Sequence, residues 1–127
     1  WAGCADDTMT AEEIRHMYER THYVMDPHTA VGAHVLEQYR EATNDHAPTI
    51  LLSTASPYKF ASDVVSSLLG ADAVKNMDFF ACSEKLEQLS GVAIPRQVRQ
   101  LRSMPVRHTA LCEADGMEAA LLKELKK

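Results

Sequence analysis

Apolar positions in the first third of the chain recur at helical spacing. Ile14, Met17, Tyr18 and Thr21 follow Thr10-Ala11-Glu12-Glu13. A hydroxyl at the N-cap and a carboxylate at N3 make that tetrapeptide a capping box, so a helix is expected from about residue 10 to 21. Val24-Met25 reads as a brief extended link. Asp26-Pro27 then opens a second helix, with Asp as N-cap and Pro at N1, where its missing N–H costs nothing. Val31, Val35, Leu36 and Tyr39 share a face of it, and residues 43–48 form a loop.

The period changes at Thr49. Thr49 to Thr54 carries the continuous run Ile50-Leu51-Leu52 and closes on hydroxyls, the signature of a parallel strand covered on both faces. After Ser56-Pro57 a third helix bears Phe60, Val64, Val65, Leu68 and Leu69 and stops at Gly70. Ser83 is expected to cap a short helix holding Leu86 and Leu89, which Gly91 ends. Pro95 starts another, with Val98 and Leu101 inward. Val106 to Cys112 is a weaker strand, and Asp115 or Gly116 introduces a last amphipathic helix with Met117, Leu121 and Leu125.

This order is α/β in style, with a defect. Two strands cannot form a sheet that several helices cover from both sides. The expectation is therefore a single α/β segment, residues 1–127, whose two strands need partner strands from an N-terminal part of the same polypeptide. Residues 1–70 would bear the motifs and complete the main domain, and residues 71–127 would supply the C-terminal helices and one strand. Self-association of such a fragment through its open sheet edges is a corollary.

Composition narrows the function classes. Hydrophobic content of 46% and charged content of 24% are ordinary for a globular chain. The net charge of -5, without a dense basic patch, argues against nucleic acid. No apolar segment approaches the roughly 18–20 residues that span a bilayer, so no membrane partner is expected. Cys4, Cys82 and Cys112 are odd in number and lack a C-x-x-C, which points to reduced thiols and a cytoplasmic setting.

Candidate chemistry is sparse. His16, His22, His28 and His34 are six residues apart, a step of about 600° on a helix, which leaves successive positions about 120° from a common face. Metal ligands on a helix need i, i+3 or i+4 spacing, so no metal site is expected. Ser53, Thr54 and Ser56 lack the G-x-S-x-G elbow of a hydrolase nucleophile. The carboxylates Asp6, Asp7, Glu12, Glu13, Asp72 and Glu113 read as helix starts or solvated surface.

Two stretches are more pointed. Asp26-Pro27-His28-Thr29-Ala30-Val31-Gly32 places a small polar run at a positive helix end, where a structural cap and a ligand contact are both open readings. Gly32 inside a helix costs up to about 1 kcal/mol against Ala, so a close approach is expected there. In Thr49 to Phe60, Ser56 before Pro57 suits a helix cap. Thr54 suits it less well, because it ends the strand where open α/β sheets bind ligands.

These two stretches together resemble the threonine synthase family of fold-type-II, tryptophan synthase β-like enzymes dependent on pyridoxal 5'-phosphate. The family shows an Asp-Pro-His-Thr-Ala-Val-Gly run, then an apolar strand and a Thr-Ala-x-Pro-x-Lys-Phe segment, here Thr54-Ala55-Ser56-Pro57-Tyr58-Lys59-Phe60. Ser56 stands where His is commoner. The resemblance covers roughly residues 8 to 70, while 71–127 rest on composition and periodicity.

The resemblance implies conversion of O-phospho-L-homoserine and water to L-threonine and phosphate. It also implies that Thr54 offers its hydroxyl to the cofactor's pyridine nitrogen, with His28 and Thr29 lining the same cleft. The family's Schiff-base lysine lies in an upstream Ser-Phe-Lys-Asp motif, and its Gly- and Asn-rich phosphate loop is also upstream. Neither occurs here, and Lys59 does not occupy the lysine's place, so no catalytic residue is expected within these residues and the fragment alone should be inactive. Two rival readings are a non-catalytic interaction module with a degenerate fold and another fold-type-II lyase or dehydratase. Retention of Thr54 weighs against the first, and the Asp-Pro-His-Thr-Ala run against the second.

Overall fold

Asp6, rather than Thr10, starts the first helix. In the computed structural model, which describes residues 1–126, α1 runs Asp7–Thr21. The Asp6 carboxylate accepts from Met9 N at 2.8 Å, and Thr10 Oγ1 donates to the Asp6 carbonyl at 2.7 Å. A carboxylate one turn upstream is among the strongest N-caps, so the helix extends back to it and the capping box at Thr10 does not form. His22 closes α1 in the left-handed region, at φ 57°, with its N–H on the Tyr18 carbonyl.

The next boundary falls where Asp26-Pro27 places it. Helix α2 spans Pro27–Thr43 with Asp26 as N-cap. Its buried positions are Thr29, Ala30 and Ala33, so small residues, not Val31, Val35, Leu36 and Tyr39, meet the core. A 3-10 turn, Pro57–Phe60, runs directly into α3, Ala61–Leu69, and Ser56 Oγ accepts from Tyr58 N to cap it. Gly70 ends α3 at φ 91°, a conformation that glycine alone adopts without strain.

Helix α1 packs against both α2 and α3, and α3 packs in turn on α4, Phe79–Ser90. Ile14, Val64, Val65 and Leu86 meet at the centre, with Met25, Tyr58, Ala61 and Cys82 around them. Long polar side chains tie the layers. Arg15 Nε donates to the Ser67 carbonyl at 2.9 Å, and Tyr18 Oη to the Leu89 carbonyl at 3.0 Å. Tyr58 Oη donates to the Val92 carbonyl.

Asp78 caps α4 through Ala81 N at 2.7 Å. Ser83, expected as that cap, is instead buried one turn inside the helix with its hydroxyl on the Phe79 carbonyl. Pro95 leads into α5, Arg96–Leu101, which Glu87 holds by accepting from Ile94 N at 2.9 Å and Arg99 at 2.5 Å. Val98 packs on the core as expected, but Leu101 is 53% exposed. A 3-10 turn, Ala114–Gly116, precedes α6, Met117–Leu125, whose Met117, Leu121 and Leu125 face outward.

Neither expected strand is present among the described residues, so the α/β expectation becomes a helix-rich fold. Residues 49–54 and 106–112 run without ladder partners. A strand is defined by its hydrogen-bonded neighbours, and these residues supply none. The apolar run is correspondingly open: Ile50 is 90% and Leu52 77% exposed. Among the described residues no helix is long and apolar enough to cross a membrane.

Candidate functional site

The most constrained polar cluster joins the start of α2 to the end of the apolar run. Asp26 is 1% exposed. Its Oδ1 accepts from His28 N at 3.0 Å and Thr29 N at 3.4 Å, as an N-cap should. Its Oδ2 accepts from Thr29 Oγ1 at 2.5 Å and from Ser53 Oγ at 3.4 Å. Thr29 Oγ1 and Ser53 Oγ are themselves 3.2 Å apart. Each hydroxyl carries one proton. With the Thr29 proton on the carboxylate, Ser53 donates to Oδ2 or to the Thr29 oxygen. Ser53 is thereby fastened to the helix start from the far side of a long loop.

Electrostatics keep the centre of this cluster charged. Burial pushes the Asp26 carboxyl upward. The hydrogen bonds from the Thr29 hydroxyl, the Thr29 and His28 amides and the His28 ring outweigh it, holding the pKa below its ordinary 3.8.

A second contact fixes how the run crosses α2. A Cβ on Gly32 would lie 3.0 Å from Leu51 Cδ1, so the close approach expected at Gly32 is made by the chain's own Leu51. The glycine lets the run lie against the helix.

The three residues singled out from the sequence occupy different settings. Thr29 is buried in the Asp26 cluster. His28 is exposed, with Nδ1 3.2 Å from Asp26 Oδ1 and its ring 5.1 Å from that of Phe60. Thr54 is exposed at the end of the run, and no hydrogen bond to the other described residues engages its hydroxyl. The fold thus brings His28, Thr29 and Ser53 together around Asp26, and Thr54 follows Ser53 in the chain as an exposed residue. Ser53 was weighed from the sequence only as a hydrolase nucleophile and not as a partner of the α2 start. Its position directly before Thr54, at the end of an apolar run, was the available signal.

A cavity of about 420 Å³ opens beside the cluster, lined by Thr10, Ile14, Pro27, Phe60, Asp63 and Ser67 among others. Thr54 is not among its walls.

The donor set suits one edge of an aromatic nitrogen heterocycle. A neutral, exposed, uncommitted hydroxyl can donate to a ring nitrogen without protonating it. Among the described residues the glycines with positive φ, Gly70 and Gly91, end α3 and α4, away from this cluster. The Thr54 hydroxyl is thus chemically able to meet a ring nitrogen.

Residues 29–120 match the family model "Threonine synthase, C-terminal". The chain is 38% identical over 86 residues to the threonine synthase of Saccharomyces cerevisiae, covering 64% of this chain and 16% of that protein. It is 48% identical over 52 residues to that of Schizosaccharomyces pombe, covering 40% and 10%. To that of Corynebacterium glutamicum it is 42% identical over 55 residues, covering 43% and 11%. The chain thus spans less than a fifth of the length of these relatives.

Proposed function

Because the chain belongs to the threonine synthase C-terminal family, we propose that it is the C-terminal part of a fold-type-II, pyridoxal phosphate-dependent threonine synthase. Residues 1–70 form one wall of the cofactor cleft. Residues 71–127 pack behind them. In the complete polypeptide the apolar run at 49–54 pairs with strands of the preceding region, which accounts for the exposure of Ile50 and Leu52. The substrate is O-phospho-L-homoserine, and the products are L-threonine and phosphate.

The observation that carries this reading is the contrast between two adjacent hydroxyls. Both residues are exposed, but Ser53 is fastened to the buried Asp26 while the Thr54 hydroxyl is uncommitted. Pyridoxal phosphate, when bound, supplies an electron sink for carbanions formed on an amino-acid substrate. Thr54 donates its hydroxyl to the ring nitrogen. A carboxylate there would hold the nitrogen protonated, whereas a neutral hydroxyl only hydrogen-bonds it. Thr29 and Ser53 hold the end of the run in place, and His28 is assigned to the lining of the same cleft by the family resemblance. The lysine that binds the cofactor covalently lies outside these residues.

The test is Thr54→Ala in the complete gene product. Loss of one hydrogen bond of about 1.5 kcal/mol corresponds to roughly tenfold. Turnover of O-phosphohomoserine, followed by phosphate release, should fall by at least about that factor while the cofactor stays bound. The 127-residue chain alone should give no stoichiometric borohydride-fixable adduct with pyridoxal phosphate. Equal turnover in wild type and variant, or such an adduct, refutes the assignment.

A further inference from the structure

Leu51 and Ser53 stand two residues apart and meet the same row of α2. Ser53 Oγ lies 3.4 Å from Asp26 Oδ2 and 3.2 Å from Thr29 Oγ1, and Leu51 Cδ1 lies 3.0 Å from where a Cβ on Gly32 would stand. Asp26, Thr29 and Gly32 follow one another at i, i+3 spacing, so they share a face of the helix. From the midpoint of the first two to Gly32 is about 4.5 residues, or about 7 Å along the helix axis. Two residues of extended chain also cover about 7 Å, whereas two of helix cover only about 3 Å. The run therefore crosses α2 as extended chain, in the direction opposite to the helix.

In extended chain successive side chains alternate between two faces. Exposure alternates accordingly: 90% at Ile50, 40% at Leu51 and 77% at Leu52. With Leu51 and Ser53 against α2, the opposite face belongs to Ile50, Leu52 and Thr54. Residue type does not dictate this register. A slip of one residue would bring Leu52 to Gly32 and Thr54 to Asp26, a leucine for a leucine and a hydroxyl for a hydroxyl, and would turn Ser53 outward. The far end of the run opposes that slip. Ala55 alone separates Thr54 from Ser56, whose Oγ accepts from Tyr58 N at 3.3 Å. Tyr58 is 2% exposed with its hydroxyl on the Val92 carbonyl. Sliding the run along α2 would pull on this buried anchor.

We propose that the row Asp26, Thr29 and Gly32 is a register key that decides which of two adjacent hydroxyls is held and which is presented. The carboxylate takes Ser53, the glycine makes room for Leu51, and Thr54 is left on the face turned away from α2. Asp26 and Ser53 are thereby positioning residues for Thr54. The positioning role rests on the reading of Thr54 as a contact of the cofactor ring, and the register does not.

Two measurements separate them. The register is read without cofactor, in the 127-residue chain with labelled isoleucine and leucine methyl groups. Nuclear Overhauser contacts should join the Leu51 methyls to the Gly32 α-protons, and a soluble paramagnetic agent should relax the Ile50 and Leu52 methyls more than those of Leu51. Contacts from Leu52 to Gly32, or equal relaxation of Leu51 and Leu52, overturn the proposal. The positioning role is read in the complete gene product by a double-mutant cycle of Ser53→Ala and Thr54→Ala. One hydrogen bond corresponds to about two- to tenfold, so Ser53→Ala should lower kcat for O-phosphohomoserine by a factor in that range. KM should hold, because Thr54 is read as touching cofactor and not substrate. The double variant should be no slower than Thr54→Ala alone, because Ser53 acts through Thr54. Effects that multiply, or wild-type kcat in Ser53→Ala beside an impaired Thr54→Ala, overturn the positioning role. Wild-type turnover in Thr54→Ala sinks the reading of Thr54 instead, and the methyl spectra still decide the register.

Discussion

Asp26→Ala should be among the most damaging single truncations in the chain. The carboxylate receives His28 N, Thr29 N, Thr29 Oγ1 and Ser53 Oγ, and the residue is 1% exposed. Loss of an aspartate N-cap costs about 1 kcal/mol. The Thr29 hydroxyl, on a residue only 6% exposed, loses its acceptor, and a stranded buried hydroxyl costs about 1–3 kcal/mol. Ser53 Oγ, 3.2 Å away, can take that proton, which places the second contribution near its lower end. The sum is about 2–3 kcal/mol. For a chain of this size that is a fall in Tm of about 10 °C.

Thermal unfolding followed by far-UV circular dichroism measures it directly. Ser53→Ala, which leaves the cap and the Thr29 bond in place, should cost less than about 1 kcal/mol. A Tm for Asp26→Ala within about 2 °C of wild type would refute the account of the cluster as a structural clamp. Acid provides a second arm. The folded pKa of Asp26 lies below the ordinary 3.8, so its contribution is fully present above that value and disappears as pH falls through the lowered folded value. Asp26→Ala should therefore narrow the gap to wild type only at strongly acid pH. A gap that closes at neutral pH would contradict the sign.

Two further outcomes follow from local geometry. Gly32→Val should destabilise by about 1–3 kcal/mol through overpacking, since even its Cβ would lie 3.0 Å from Leu51 Cδ1. Gly32→Ala should cost less, because helix propensity returns up to about 1 kcal/mol. Urea unfolding checks the order, and a valine variant as stable as wild type would show that Leu51 does not rest on α2. Separately, the hydrogen bond that Tyr39 Oη donates to Asp45 at 2.7 Å raises the phenol above 10.0. Asp45→Asn should bring the Tyr39 ring resonances back toward that midpoint, and an unchanged titration would mean the bond is not populated in solution.

The residues from Thr49 to Phe60 show how far a local pattern reaches. Its second half was legible: Ser56 and Pro57 start the turn that leads into α3, because a hydroxyl cap and a fixed proline φ act within a few residues. Its first half was not. Ile50-Leu51-Leu52 specifies a surface that wants cover, but whether a strand forms depends on a ladder partner, and none is supplied by these residues. Asp6 was read only as a helix-start or surface carboxylate, and its place as the N-cap ahead of Thr10 was missed for a related reason. Several acceptors near a helix start compete, and the sequence alone does not rank Asp6 against Thr10.

What the sequence determined by itself was local chemistry. It set the Asp26-Pro27 start of α2, the glycine stops at Gly70 and Gly91, the need for a close approach at Gly32, and the two motifs that carry the family resemblance. Each depends on backbone sterics or on hydrogen bonds within one turn, so nearby residues suffice. The tertiary structure decided what lies opposite those features. Leu51 is the group that approaches Gly32, Ser53 joins Asp26 and Thr29 across 24 to 27 residues of chain, and Thr54 is left open beside them. Contacts between distant residues are chosen by how whole helices pack. For that reason Thr54 could be picked out as a residue, but the buried carboxylate that holds its neighbour could be seen only in the fold.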